Sequence, residues 1–325
     1  MNISQHEALV LHDHEPTTDS FKEDVLAGLI QTPKRIPSKF FYDERGSQLF
    51  EEITKLDEYY LTRTEISILQ RYLPEIASLV GPDALVIEFG TGAGLKTNML
   101  LAALDRPAAY VPIDISREQL LDASLELVEA FPELEVWPVC ADYTESFSLP
   151  KPNSRTAQTV VFFPGSTVGN FTPDEAVGFL RSVVASVGTG VNLLIGFDRR
   201  KETATLEAAY DDRRGVTAAF NLNLISRINR EFNATLSADK FRHHAFFNTL
   251  ESRIEMHLVS IVGQSIQLED TEIRLSEGEH IVTEYSYKYS REAFAAIIEA
   301  SGFELVQRWS DSREYFDVWY CRVTT

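Results

Sequence analysis

Three glycines at alternate positions, Gly90, Gly92 and Gly94, follow the apolar run Leu85-Val86-Ile87-Glu88-Phe89 and lead into Leu95-Lys96-Thr97. Glycine takes backbone conformations that a Cβ forbids and lets a ligand approach the main chain, so such a turn can cradle a nucleotide. Its spacing is Gly-x-Gly-x-Gly, not the Gly-x-Gly-x-x-Gly of dinucleotide phosphate loops, which favours S-adenosylmethionine over NAD. Further on, Ala108 to Ser116 is apolar and ends in Asp114, an acid placed to hydrogen-bond ribose hydroxyls. Asp114 also fits a plainer role, preceding a helix capped by Ser116 with Gln119 as its capping-box partner. The run Leu134 to Cys140 leads into Asp142-Tyr143, where a carboxylate can take an adenine amine and a ring can lie against the base. The run Thr159 to Phe163 ends in Pro164-Gly165-Ser166-Thr167-Val168-Gly169-Asn170. Asn170 can accept a hydrogen bond from a substrate amine without a negative charge that would hold its proton. Equally, it fits a turn residue ahead of a helix capped by Thr172, with Pro173 and Glu175 completing the box.

These residues need a frame that brings strand ends together. Strands alternating with helices from about residue 66 to 198 imply a doubly wound, Rossmann-like α/β sheet. Between 199 and about 286 the alternation breaks. Helical stretches at Thr203 to Tyr210 and Val216 to Arg230 precede strand-like Ser252 to Val259 and Ile266 to Arg274, so this segment reads as an insertion. A helix capped at Ser290 and an antiparallel hairpin, Phe303 to Trp309 and Phe316 to Val323, return to the sheet. The expected division is a mobile terminus over 1–20, a substrate-binding domain from 21–65 and 199–286, and a sheet domain from 66–198 and 287–325.

At 325 residues and a net charge of −19, the chain can bury a large core and disfavours nucleic acid or an anionic membrane as partner. The absence of a long apolar run or a leader-like start points to cytoplasmic residence, and no obligatory protein partner is evident. Cys140 and Cys321 read as core thiols. His6, His12 and His14 lack the carboxylate or thiol spacing of a metal site, and no metal is expected. His257 is expected to face away from any pocket, and His243-His244 to be structural or exposed.

The blocks Lys39 to Ser47 and Leu56 to Glu65 look like the N-terminal signature of the histidine Nα-methyltransferases of ergothioneine biosynthesis. The likeness continues through Gly90 to Thr97, Gly165 to Asn170, Tyr210 to Asp212, Gly215 to Asn221, Arg253 to Met256 and Thr283 to Ser286. It implies a class I methyltransferase sheet joined to an α+β substrate domain, with three methyl transfers from S-adenosylmethionine to the α-amine of L-histidine, giving hercynine. By motif position it implies cofactor contacts at Gly90, Lys96, Asp114, Asp142 and Tyr143. Tyr59, Asn170 and Tyr210 would hold the backbone end of the amino acid, Tyr42 and Gly165 would lie beside the amine, and Glu284 and Ser286 would take the imidazole, with Met256 lining the side-chain pocket. Asn170 and Tyr42 are the candidates nearest the reacting nitrogen. The chain departs from the pattern at Gly94 and Leu95, and at Asp57 and Leu61, where prolines are common.

The residue types suit those roles. Imidazole carries two nitrogens that a carboxylate and a hydroxyl can read together, and Glu284 and Ser286 share a strand face. Other functions use parts of the same pattern. An N-methyltransferase for tryptophan or a prenylated tryptophan would leave Glu284 poorly paired. An NAD-dependent dehydrogenase or a non-catalytic cofactor-binding module would share the sheet and the ribose acid.

Overall fold

The computed structural model describes residues 9–14, 18–92, 94–145 and 147–324. Two compact units divide the chain: one comprises Leu61–Arg199 with the N-terminal strand and the segment from Tyr289 onward, the other Arg200–Lys288 with the segment that ends at Tyr60.

The first unit is built on a nine-stranded sheet. Its strands lie in the order His12–His14, Val139–Ala141, Ala109–Asp114, Ala84–Phe89, Gln158–Phe163, Val191–Asp198, Phe316–Val323, Phe303–Ser310, with Glu135–Val136 paired beside Ala109–Asp114. All pairings are parallel except those of Phe316–Val323, which runs antiparallel to both neighbours. The central strands are continuous apolar runs because helical crossovers leave no face to water, and all eight residues of Val191–Asp198 are buried. Register sets Phe89 opposite Ile113 and Glu88 opposite Phe162. The carboxyl ends of three strands therefore align, and chain order reverses across Ala84–Phe89, the point at which open α/β sheets bind ligands.

In the second unit Lys34–Arg35, His280–Tyr287, Arg253–Ser260 and Phe241–Asn248 form a four-stranded sheet in that order. The early segment and the late insertion interlock. Asp43 caps the helix Glu44–Thr54 by accepting from the Gly46 N–H at 2.8 Å and also accepts from Asn223 at 2.8 Å. Phe41 stacks on Phe220 with centroids 4.4 Å apart. Gly46 has no alternative here, since a Cβ would stand 1.7 Å from the Phe41 carbonyl oxygen.

Several local expectations change. His12–His14 forms a parallel edge strand on Val139–Ala141, and a helix begins at Thr18, so the terminus expected to be mobile is structured in these parts. His6 lies outside the described residues. The run Leu134 to Cys140 is split into two short strands at Trp137-Pro138, because proline has no N–H for the ladder. Ile266 to Arg274 is a hairpin, Gln264–Leu268 against Thr271–Leu275, turned at Glu269 with φ 52°. Ser116 makes no side-chain cap, whereas Thr172 and Glu175 form the full capping box and Ser290 accepts from Ala293 N–H. Cys140 and Cys321 are buried and not joined in a disulfide. Among the described residues no helix is long and apolar enough to cross a membrane.

One buried polar node sits inside the sheet. Glu88 accepts from the Thr97 and Tyr110 hydroxyls, each at 2.6 Å. Burial raises its pKa from 4.5 to about 7 against those two hydrogen bonds and the charge of Lys96. The unfolded chain loses this proton near its ordinary value while the folded chain keeps it, so the contribution to stability falls as pH rises through that window. Glu88→Gln, which cannot ionise, should match wild type at pH 5 and exceed it at pH 8 by up to roughly 3 kcal/mol. Urea midpoints at the two pH values measure this; a gap that does not change with pH would mean that Glu88 stays in one form.

Candidate functional site

Candidate residues fall in both units, and each set has its own geometry. In the first unit, Gly90, Gly92 and Gly94 all have positive φ, at 76°, 52° and 69°. Their conformation requires glycine. A Cβ at Gly90 or Gly92 would meet nothing within 4 Å, so the loop borders open space that a ligand can fill. The helix Leu95–Ala103 starts directly from Gly94. Asp114, at the end of its strand, is held by N–H groups: Oδ2 accepts from Thr91 N at 2.9 Å and Oδ1 from Ser116 N at 2.9 Å. Burial raises its pKa while the N–H groups of Ser116, Gly92 and Thr91 oppose the rise. Thr91 Oγ1 also donates to Oδ2, at 3.3 Å, so donors of the loop and of the following turn fix the carboxylate at the strand end.

Asp142 Oδ1 accepts from Thr144 N at 2.9 Å and Thr144 Oγ1 at 2.6 Å, which fixes the carboxylate at the strand end. Tyr143 lies edge-to-face with Phe89, centroids 5.9 Å apart, and with Phe163 at 6.3 Å. Burial pushes its phenol pKa up, aided by Asp114 and Asp142, so it stays neutral.

A residue that sequence reasoning did not single out ties these parts together. Glu65, with 1% of its side chain exposed, binds Lys96 Nζ at 2.7 Å and accepts the Gly165 N–H at 2.9 and 3.0 Å. Lys96 thus points to a protein carboxylate. Gly196 makes room for Glu65, since a Cβ there would stand 2.1 Å from Oε1. Gly165 has φ 82° and Ser166 φ 59°, and Ser166 Oγ accepts from Asp198 N at 2.9 Å. Asn170 closes the short 3-10 turn Thr167–Asn170. It is partly exposed, and among the described residues its carboxamide has no hydrogen bond, so it neither caps nor braces the turn.

In the second unit, aromatic rings gather around Tyr59. Phe50 lies 6.2 Å from Tyr59 and 5.6 Å from Tyr42, and Tyr210 lies 6.2 Å from Tyr59, all edge-to-face. Met256 is the register partner of Glu284 on adjacent strands. Ser286 Oγ lies 2.9 Å from Tyr210 Oη. Glu284 is 9% exposed, and among the described residues no hydrogen bond reaches its carboxylate. Burial raises its pKa to about 7, moderated by the charge of Lys288. Lys288 Nζ donates to Tyr210 Oη at 2.8 Å and Ser286 Oγ at 2.9 Å. Sequence reasoning stopped at Ser286; one more step of strand alternation reaches Lys288.

The histidines support this arrangement. His243 Nε2 lies 2.9 Å from the Tyr210 carbonyl oxygen and Nδ1 2.9 Å from Asn221 Nδ2, so Nε2 carries the proton and Nδ1 accepts. Burial lowers its pKa, keeping it neutral. His257 is occupied by Glu255 at 3.1 Å and His280 at 2.7 Å.

A family model described as "Histidine-specific methyltransferase, SAM-dependent" matches residues 21–323. A histidine N-alpha-methyltransferase of Mycolicibacterium smegmatis is 38% identical over 303 residues, covering 91% of this chain and 93% of its own. One from Mycobacterium tuberculosis is 38% identical over 298 residues, covering 90% and 91%. Ergothioneine biosynthesis protein 1 of Neurospora crassa is 31% identical over 301 residues, covering 87% of this chain and 32% of that protein. The S-adenosylmethionine dependence of the matched family removes the dehydrogenase reading.

Asp114→Ala should weaken S-adenosylmethionine binding by roughly 1–3 kcal/mol, the cost of losing a charged acceptor. Titration calorimetry measures it, and unchanged affinity would exclude Asp114 from the ribose contacts.

Proposed function

This chain belongs to the family of histidine-specific, S-adenosylmethionine-dependent methyltransferases, and we propose that it methylates the α-amine of L-histidine three times, giving hercynine for ergothioneine biosynthesis. Glu284 carries the substrate assignment. A buried carboxylate without a hydrogen bond is costly, and an imidazole N–H is the donor it lacks. Ser286, two residues along the same strand face, can serve the other ring nitrogen. An indole offers one N–H and no ring lone pair in the plane, so it would leave one of the two groups unmatched.

S-adenosylmethionine supplies, when bound, a methyl group activated by its sulfonium leaving group. Gly90, Asp114, Asp142 and Tyr143 fit that ligand: the loop leaves space at the backbone, Asp114 puts a fixed carboxylate at the strand end for the ribose, and a second fixed carboxylate stands next to a ring for adenine. Lys96 contributes by anchoring the helix that follows the loop to Glu65. Asn170 accepts an amine N–H through its carboxamide oxygen. Because that group is neutral it does not stabilise the protonated amine, so the nitrogen lone pair is available without a strong base. Gly165 borders the same place. Tyr59 holds the amino acid's carboxylate through its hydroxyl, and the Tyr210 ring packs edge-to-face beside it. As methyl groups accumulate the nitrogen becomes a fixed cation, and the rings of Tyr42 and Tyr59 stabilise it by roughly 0.5–2 kcal/mol for a face contact.

Mass spectrometry after incubation with S-adenosylmethionine and each free amino acid tests the assignment. Histidine should gain three methyl groups and the other amino acids should remain unmodified or nearly so; a product stopped at one or two methyl groups would overturn the hercynine assignment.

Asn170→Ala should slow the first methylation more than the third, because neutral dimethylhistidine has no N–H for the carboxamide to orient. Single-turnover rates on histidine and on Nα,Nα-dimethylhistidine measure the two steps separately. Equal fractional losses would show that Asn170 only shapes the pocket.

A further inference from the structure

Glu284, Ser286 and Lys288 stand at alternate positions of the chain from His280–Tyr287 into the residue after it, and alternate residues share a face. Lys288 is 1% exposed, an unusual place for an ammonium, which loses several kcal/mol of hydration on burial unless charge and hydrogen bonds replace the water. Its Nζ contacts two hydroxyl oxygens, Tyr210 Oη at 2.8 Å and Ser286 Oγ at 2.9 Å, and lies 4.7 Å from the Tyr210 ring centroid. Those two hydroxyls lie 2.9 Å from each other.

We propose that Lys288 is a positioning residue of the imidazole site, fixing the direction of the Ser286 and Tyr210 hydroxyls and supplying the positive charge against which Glu284 accepts an imidazole N–H. The inference rests on the reading of Glu284 and Ser286 as imidazole contacts. An ammonium only donates, so both hydroxyl oxygens accept from it and their hydrogens are directed elsewhere. One of those hydrogens bridges the hydroxyl pair. With Tyr210 donating to Ser286, the serine hydrogen turns to the ligand, and the site presents one donor and one acceptor. That pattern matches a neutral imidazole with one N–H and one lone pair. It rejects an imidazolium, which has two donors and no acceptor.

Electrostatics work in the same direction. Burial favours the protonated form of Glu284, and the neighbouring charge of Lys288 counters it. Without the ammonium, the carboxyl would keep its proton at neutral pH and offer the ligand N–H only a neutral, weaker acceptor. On the opposite face of the sheet, Arg253 and Glu255 pair with each other at 2.8 Å, and Arg253 covers Tyr285.

Two neutral variants separate charge from hydrogen bonding: Lys288→Met removes both, and Lys288→Gln keeps an N–H donor. In ligand-free enzyme carrying 13C-labelled glutamate, the Glu284 carboxyl signal is identified by its loss in Glu284→Gln. Its titration midpoint should rise by about one pH unit in both variants, the lower end for losing a nearby opposite charge. KM for L-histidine at pH 7 should rise about tenfold, with a smaller change in kcat. A midpoint that does not move, with kcat reduced and KM unchanged, would mean a merely structural role and overturn the proposal. A shifted midpoint in an enzyme that does not turn over histidine would instead overturn the substrate reading and leave the coupling of Lys288 to Glu284 standing. Should neither variant fold, the 13Cε signal of Lys288 in the unmodified chain decides: an ammonium up to pH 8 supports the proposal, and a neutral amine at pH 7 overturns it.

Discussion

A buried carboxylate, Glu65, is the interaction on which the first unit depends. Its two oxygens bind the Lys96 ammonium and the Gly165 N–H, so one side chain joins the long helix Tyr60–Val80, the helix after the glycine loop, and the turn that carries Asn170. Removing one partner of a buried pair costs about 3–5 kcal/mol. The arrangement also explains two glycines that no loop argument reaches. Gly196 leaves volume for the carboxylate. Gly165, in the left-handed region, lets its N–H point at the same group.

The second unit solves a different problem, which is to hold ionisable groups away from water. His243 grips the Tyr210 carbonyl, and Asn221 in turn fixes its tautomer and accounts for a second contact, to the His257 carbonyl at 3.1 Å. The phenol of Tyr210 is therefore braced at both ends, by its backbone and by Lys288. A hydroxyl steered in this way loses little freedom when a ligand arrives, which favours affinity without extra contacts.

What was legible in the sequence follows from the range of each interaction. The glycine loop was readable because its constraint is local: positive φ at Gly90, Gly92 and Gly94 is written as the absence of a side chain. Alternation gave Glu284 and Ser286 a common face for the same reason. Glu65 is visible in the sequence only as the last residue of a longer block, because its partners are 31 and 100 residues away and nothing in its neighbours announces a buried acid. The single strand expected over Ile266 to Arg274 missed a turn built from Glu269 and Asp270, which lacks glycine or proline to mark it. The structured N-terminus depended on a distant partner, Val139–Ala141, and a three-residue polar strand has no periodicity to show.

That small strand has a consequence for behaviour in a crowded solution. An open sheet ends in unsatisfied N–H and C=O groups that invite a foreign strand. On one side, among the described residues, the ladder ends in His12-Asp13-His14, short and polar and poorly suited to template a neighbour, with Asp13 held sideways by Arg117 at 3.2 Å. On the other, Phe303–Ser310 is interrupted by a bulge between Leu305 and Gln307, just where exposed Leu305 and Val306 would otherwise offer an apolar grip. Each margin is blunted by its own device, so the large twisted sheet is guarded against edge-to-edge aggregation.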